Sequence, residues 1–242
     1  MEKLICNSRR GGAKTSSFAR AVALVRKVAT SATLPAVLAL AVTALGDGLP
    51  AGYTQVPFIK ANGNCQVRTG LVPNGTDKAE LSWRPTVVSG NQGLWCSRDS
   101  SSKNTFTAFM ISNKVRLDRV NTSTTCAGLL LAGTNYTVVA DYATLAGVVT
   151  NDISHTELTS GTMPSGTYTP TSELCLFASH QGAASASYGN AGSWACYSFK
   201  LSDSAGNLRL NLVPAKRDAD GVLGLYDLAR STFLTRFRYL SM

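Results

Sequence analysis

A small set of ring-bearing and planar polar side chains in this chain has the chemistry that sugar recognition needs. Aromatic rings stack on the apolar faces of sugars, while amide, imidazole and guanidinium groups exchange hydrogen bonds with hydroxyl groups. The candidate ligand-binding residues are Trp95 with Arg98, Tyr188 with Asn190, and His180 with Gln181, with Trp194 as a further ring. Trp83 and Trp95 also fit strand positions that face a core, so the alternative for these rings is a structural role.

The chain lacks the sequence signatures of common catalytic centres. Its two histidines, His155 and His180, lie in polar stretches, and no Gly-x-Ser-x-Gly elbow accompanies them. No phosphate-binding loop or dinucleotide-binding motif occurs either. We therefore expect no catalytic residues, and a protein that binds rather than reacts.

Short strands joined by polar turns must position the candidate residues. The C-terminal segment shows this best: Leu208, Leu210 and Leu212 alternate with polar residues, a turn follows at 218–221, and strands return at 222–228 and 232–235. Other strands are predicted at 53–60, 65–71, 78–84, 94–98, 105–112, 114–120, 136–142 and 145–150, with loops at 159–172 and 181–193. The first two are expected to pair around the Asn-Gly turn at 61–64, and the last two to form a hairpin. The pattern predicts one all-β domain, an antiparallel two-sheet sandwich.

The two ends of this domain carry motifs that resemble a known family. The motifs are Leu49 to Thr54, Ile59 to Gly63, Arg68 to Gly70 and Pro73-Asn74 near the start, Leu174 to Ala178 and Tyr197 to Lys200 within, and Leu212 to Pro214, Lys216-Arg217, Asp220-Gly221, Gly224 to Leu228 and Thr232-Phe233 near the end. Together they resemble LamG-like jelly rolls of the concanavalin A-like lectin/glucanase superfamily, small forms of which are common in gut bacteria and their phages. The resemblance covers 49–242 and implies a jelly roll in which Tyr226 and Asp227 belong to the architecture, with Asp227 in a turn-stabilising hydrogen bond.

The same superfamily includes glycoside hydrolases, so the carboxylates need separate consideration. Retaining enzymes place two carboxylates about 5 Å apart, and the usual superfamily signature is Glu-x-Asp-x-x-Glu. That signature does not occur here, since Glu80, Glu157 and Glu173 are isolated. One enzyme alternative stays open, a carboxylate pair that forms only in space. Its candidates are Asp99, Asp141, Asp152 and Glu157.

Residues 1–44 form a basic leader that differs in composition from the rest. Of the 23 Lys and Arg residues, seven lie before residue 28, and an apolar run follows from Leu34 to Leu45. This predicts a hydrophobic leader helix that serves as a signal peptide, with a mature domain at 45–242 and no membrane span in it. The alternative is an uncleaved N-terminal helix that docks on a membrane or a partner. The remaining chain carries a net charge of only +3, which argues against a nucleic-acid partner.

The cysteines leave two alternatives open. With Cys6 removed in the leader, an odd number remains: Cys65, Cys96, Cys126, Cys175 and Cys196. They either form one or two disulfides, as an oxidising compartment allows, or serve as small buried hydrophobic residues. The sequence has no CxxC pair that would predict a zinc site. It also has no dense Asp/Asn cluster that would predict the calcium that LamG-like domains sometimes hold, so we expect no cofactor or metal site.

These features predict a secreted or cell-surface, lectin-like binding protein of bacterial or phage origin. Its expected partner is a glycan or a glycosylated surface. The alternative is a structural protein of a virion or cell envelope, in which the jelly roll mediates protein contacts only.

Overall fold

The computed structural model describes residues 48–63, 65–98, 105–120, 122–166, 169–181, 187–189 and 191–238, with only the backbone at 179–181, 187–189 and 236–238. The described regular elements are strands. In chain order they are β1 (Tyr53–Gln55), β2 (Ile59–Lys60), β3 (Cys65–Arg68), β4 (Lys78–Pro85), β5 (Asn91–Arg98), β6 (Thr105–Ile111), β7 (Lys114–Arg119), β8 (Thr122–Thr125), β9 (Tyr136–Asp141), β10 (Ala146–Asn151), β11 (Thr156–Thr162), β12 (Cys175–Leu176), β13 (Ser179–Gln181), β14 (Ser187–Gly189), β15 (Trp194–Ser202), β16 (Leu208–Arg217), β17 (Leu223–Asp227) and β18 (Thr232–Arg238).

The strands form two antiparallel sheets that share one strand. The first sheet has the order β11-β10-β9-β4-β15-β16-β17-β18, and the second has the order β18-β3-β12-β5-β6-β7-β8. Strand β18 belongs to both, because 232–235 pair with β17 and 236–238 pair with β3. The predicted all-β, two-sheet antiparallel sandwich is therefore confirmed. The predicted leader helix lies outside the described residues.

The core lies between the two sheets and is rich in aromatic rings. Trp95 of the second sheet has its ring centroid 5.9 Å from that of Phe199 in the first. Phe177, which follows β12, stacks on Trp194 of β15 at 4.0 Å. Trp83, on the alternating strand β4, is fully buried, as a core position requires. These large rings hold the sheets together, since each contributes more buried apolar area than any aliphatic side chain.

The C-terminal segment folds as three antiparallel strands, as predicted. Leu210 and Leu212 are fully buried, whereas Leu208, at the start of β16, is 48% exposed. The core-facing residues of this strand therefore begin at Leu210, two residues later than the alternation predicts. Gly221 ends the turn with a φ of +71°, a conformation that glycine adopts without steric cost.

The hairpin predicted between 53–60 and 65–71 is wrong. Strand β2 pairs with β15, and β3 pairs with β12 and β18, so the two strands lie in different sheets. The turn region between them is held by long-range contacts, since the amide of Ala61 donates to the carbonyl of Trp194 (3.0 Å). A local turn signal cannot reveal such a competing long-range partner.

Two predicted loops also contain strands. Strand β11 occupies the start of the 159–172 stretch and pairs with β10 as the outer strand of the first sheet. Strands β13 and β14 form a short hairpin within 181–193 and its flank. Both stretches are rich in Ser, Thr and Gly, which hides their strand character. By contrast, the predicted hairpin at 136–150 is confirmed as β9 and β10.

Candidate functional site

One row of side chains across the second sheet consists of charged, hydroxyl and thiol groups, and its central members Cys175, Cys96 and Thr107 are fully buried. Successive cross-strand partners in this row are Arg68, Cys175, Cys96, Thr107, Asp118 and Ser123. Cross-strand partners in an antiparallel sheet point to one face. The adjacent row contains Trp95, Ala108 and Leu117, which belong to the core. The polar row must therefore face away from the core.

A cavity of about 180 Å³ opens at one end of this polar face. Strand periodicity places Arg98 there, because it is two residues from Cys96 and pairs with Thr105. Arg116 is two residues from Asp118 and lies on the same face. The cavity is lined by Arg98, Thr105, Arg116, Asp118, Val120, Thr122 and Ser123. We call it the arginine pocket.

Arg116 and Asp118 form a two-point ion pair within the arginine pocket. The Nε atom of Arg116 lies 2.8 Å from Oδ1 of Asp118, and Nη2 donates to Oδ2 at 2.9 Å. The guanidinium group of Arg116 also lies 5.2 Å from the centroid of the Phe109 ring, within cation–π range. Burial raises the pKa of the Asp118 carboxyl, and the guanidinium groups of Arg116 and Arg98 partly oppose that rise. This pair is a fixed wall of the pocket.

Arg98 contributes the second guanidinium group. Its Nε atom is buried and, within the described part of the chain, has no hydrogen-bond partner. The exposed residues Thr122 and Ser123 add hydroxyl groups at the rim. Arg98 lines the pocket with a guanidinium group whose Nε atom lacks an acceptor, and an anion bound in the pocket offsets the cost of burying that charge.

The rim of the pocket has a strained backbone. Val120 has a φ of +58°, in the left-handed region that β-branched residues rarely adopt. The hydroxyl of Thr105 donates to the Val120 carbonyl at 2.7 Å, which ties the turn after β7 to the start of β6. Strain of this kind persists only where surrounding contacts hold it, and it is common at binding sites.

A second cavity of about 350 Å³ lies beside β2, β3 and β17. It is lined by Ile59, Lys60, Cys65, Val67, Phe177, Gly221, Val222, Leu223, Gly224 and Thr235. Most of these side chains are apolar or absent, so it offers few of the hydrogen-bonding groups that a sugar needs. The arginine pocket is the better candidate for a polar ligand.

Of the candidate residues, Arg98 lines the arginine pocket, whereas two of the tryptophans cannot contact a ligand. Trp95 and Trp194 are both fully buried, so neither ring has a face for a sugar, and their assignment as ligand contacts is corrected. Trp95 and Arg98 are three residues apart on β5, which puts them on opposite faces of the sheet. The indole nitrogen of Trp194 donates to the Gly93 carbonyl (3.0 Å) inside the core.

The other four candidate residues lie in or beside the β13–β14 hairpin. The backbone register sets His180 opposite Tyr188 and Gln181 opposite Ser187. The side chains of His180, Gln181 and Tyr188, and the whole of Asn190, lie outside the described residues. Their role in ligand binding stays a prediction.

The ion pair of Arg116 and Asp118 was not among the predicted site residues. The sequence held a signal for it, because the two charges alternate with Val115 and Leu117 on a half-exposed strand. Charges of opposite sign two residues apart on such a strand share the solvent face. What the sequence lacked was the register that brings Arg98 to the same place.

The carboxylates considered as a possible catalytic pair do not all lie close together in the structure. Asp141 pairs with Ala146 at one end of the β9–β10 hairpin, while Asn151, just before Asp152, pairs with Tyr136 at the other. Five residue-to-residue steps along β9 separate those ends, a distance of about 17 Å, and Glu157 pairs with Thr150 near the Asp152 end. Asp141 is therefore too far from either to form a retaining pair, and Asp99 lies outside the described residues.

Within the described ranges, no group of three or more His, Cys, Asp or Glu side chains is placed to hold a metal ion. No helix within those ranges is long and apolar enough to cross a membrane.

The cysteines after the leader are buried. Cys126, Cys175 and Cys196 are unbridged thiols, and burial raises the pKa of all three. The thiol of Cys96 accepts a hydrogen bond from the hydroxyl of Thr107 at 3.4 Å. Of the two alternatives for these residues, the structure shows the small buried side chain.

Comparison with protein-family models and with curated protein sequences gives no match. Comparison with solved structures gives distant similarities. Domains LG4-5 of the mouse laminin alpha1 chain have 14% identity and a TM-score of 0.43, with 80% of this chain and 48% of that one covered. Tailspike protein 2 of Escherichia coli O157:H7 bacteriophage CAB120 has 11% identity, a TM-score of 0.44 and coverages of 69% and 27%. The CBM40 of the Ruminococcus gnavus IT-sialidase, bound to α2,3-sialyllactose, has 10% identity, a TM-score of 0.46 and coverages of 64% and 92%.

This chain thus spans about half of the laminin structure and about a quarter of the tailspike. At these identities and TM-scores, no ligand or activity passes from those proteins to this chain.

Proposed function

We propose that this chain is a non-catalytic carbohydrate-binding protein of the cell exterior, secreted or held at a surface, with the arginine pocket as its binding site. The observation that supports the proposal most directly is the pocket itself. It combines two guanidinium groups, a carboxylate and two exposed rim hydroxyls on the sheet face that points away from the core. Sugars are bound by such convergent donors and acceptors.

The setting of the pocket suits binding rather than reaction. Its walls come from β5, β6, β7 and β8, so its side chains are held by a continuous hydrogen-bonded sheet. Asp118 is engaged by Arg116 at both carboxylate oxygens, which leaves it poorly placed to act as a base or nucleophile. A rigid, pre-organised set of donors lowers the entropic cost of binding.

A glycan array probed with the full chain tests the proposal. We expect saturable binding to a defined saccharide class, reduced in Arg98→Gln. Lys114→Gln is the matched control, since Lys114 lies two residues from Arg116 on β7 and does not line the pocket. Well-folded protein that binds no saccharide would overturn the proposal and favour the alternative role in protein contacts within a virion or envelope.

A second variant separates the two candidate surfaces. Tyr188→Ala alters the β13–β14 hairpin, which contains three of the predicted contacts, His180, Gln181 and Tyr188. If the arginine pocket is the site, Arg98→Gln weakens binding and Tyr188→Ala leaves it unchanged. The reverse result, with an unchanged melting temperature, would move the site to the hairpin.

A further inference from the structure

The arginine pocket has an excess of positive charge. Arg98 and Arg116 contribute two guanidinium groups, and Asp118 is the only carboxylate among the described lining residues. Because Asp118 is engaged with Arg116, it does not also satisfy the buried Nε atom of Arg98. At the described lining, two guanidinium groups therefore face one carboxylate, which leaves a net positive charge.

The lining also lacks the feature by which neutral sugars are usually held. None of the described residues that line the pocket is aromatic, and the Phe109 ring is covered by Arg116. Without a stacking surface, affinity must come from charge-assisted hydrogen bonds. Such bonds are roughly twice as strong as neutral ones, and guanidinium groups match the planar geometry of oxyanions.

The volume sets the size of the ligand group. A cavity of about 180 Å³ is smaller than the ~300–1,000 Å³ of pockets that enclose a whole drug-sized molecule. It suits one charged substituent and the sugar ring that carries it. The hydroxyls of Thr122 and Ser123 at the rim can then bond to ring hydroxyls.

We infer that the arginine pocket selects an acidic saccharide, one whose carboxylate or sulfate group is bound by Arg98 beside the Arg116–Asp118 pair. This inference rests on the carbohydrate-binding function proposed above. In the complex, the guanidinium group of Arg98 donates a hydrogen bond to an anionic oxygen in the pocket, and Arg116 contributes charge from β7.

Matched pairs of ligands test the inference by calorimetry on the full chain. The carboxylate pair is methyl glucuronide and methyl glucoside, and the sulfate pair is lactose 3′-sulfate and lactose. We expect at least one acidic member to bind ~10-fold or more tightly than its neutral partner, because a charge-assisted bond is gained. Comparison of the two acidic members tells which oxyanion the pocket prefers.

Three variants connect that selectivity to the pocket. Arg98→Gln should lose the acidic preference, Arg98→Lys should retain part of it through charge, and Lys114→Gln should leave it unchanged. Unchanged melting temperatures would show that each variant is folded. Loss of the preference in Lys114→Gln as well would point to general surface charge and overturn the inference.

The remaining outcomes separate this inference from the function on which it rests. Equal binding of acidic and neutral partners, insensitive to Arg98→Gln, would overturn the acidic selectivity and leave carbohydrate binding intact. If no saccharide binds, the carbohydrate-binding function is overturned. Stabilisation of the wild type by inorganic sulfate, absent in Arg98→Gln, would then support oxyanion recognition alone, and no stabilisation would overturn both.

Discussion

Arg230 donates from its Nε atom to the carboxylate of Asp227 across 2.5 Å, at the point where β17 turns into β18. The carboxylate is fully buried and also accepts from the amides of Asn211 (3.0 Å) and Ala229 (3.1 Å). The Nη2 atom of Arg230 donates to the Thr69 carbonyl at 2.6 Å, just beyond the end of β3. This chain of bonds joins the two sheets, and it confirms the turn-stabilising role expected for Asp227.

Asp227→Ala should therefore lower the free energy of unfolding by about 2–3 kcal/mol, since it orphans a partly buried cation and two amides. Urea denaturation of both proteins measures the difference. Asp220→Ala is the matched control, because Asp220 also pairs with an arginine three residues away but is exposed. The control should leave the midpoint nearly unchanged, as exposed pairs contribute little. Equal losses in both variants would contradict the structural role of Asp227.

Trp95 is expected to affect stability rather than ligand contact. Trp95→Ala empties a site between the sheets where the ring contacts Phe199, and should cost about 3–5 kcal/mol of unfolding free energy. Trp95→Phe retains most of the ring volume and should cost less. Thermal denaturation distinguishes the series, and a Trp95→Ala protein that melts like the wild type would contradict the core position.

Cys175 should be chemically inert in the folded protein. Burial, with a smaller contribution from Cys96, raises the pKa of its thiol to about 12. At a pH near 8 only about one molecule in ten thousand then carries the reactive thiolate. After reduction and removal of the reductant, iodoacetamide should leave Cys175 unmodified until urea is added, as followed by peptide mapping. Fast alkylation of the native protein at this site would contradict its burial.

Binding of a sulfated sugar should strengthen as the pH falls. Burial raises the pKa of Asp118 above its ordinary 3.8, so on acidification its carboxyl takes up a proton before an exposed aspartate does. The charged groups facing it are Arg116 on the same strand and Arg98 on β5. Protonation frees the Arg116 charge, while a sulfate ester stays ionised.

Calorimetry with lactose 3′-sulfate between about pH 7 and about pH 4.5 measures this effect, and Asp118→Asn should abolish the pH dependence. The raised pKa of Asp118 also makes the stability of the fold depend on pH. A raised carboxyl pKa contributes stability at low pH that is lost as the pH rises through the folded-state value. Affinity that falls on acidification in the wild type would contradict the pairing of Asp118 with Arg116.

The sandwich could be predicted from the sequence because the alternation of side chains along a strand is a local property. Alternation along 78–84 and 114–120 matches β4 and β7, since side chains of a strand point to opposite faces in turn. The same rule could have separated Trp95 from Arg98, which are three residues apart.

The site itself depends on pairing between strands that are distant in the sequence, and no local sequence pattern reveals that pairing. Arg98 reaches Asp118 only because β5 pairs with β6 and β6 with β7 in one particular register. The false hairpin at 53–71 has the same origin, since β3 has partners near residues 175 and 237 rather than beside it in the chain. Long-range register is set by the whole core, so no local motif reveals it.

The strand shared by both sheets affects how this chain is made. One edge of β3 is covered only when β18 has been made, because Val67 of β3 pairs with Arg236 of β18, 169 residues later in the chain. Until then the nascent chain holds an open strand edge, the kind of surface through which unfinished β proteins aggregate. Closure of the sandwich therefore waits for β18, and chaperone protection of the nascent chain matters most in the interval before that strand is made.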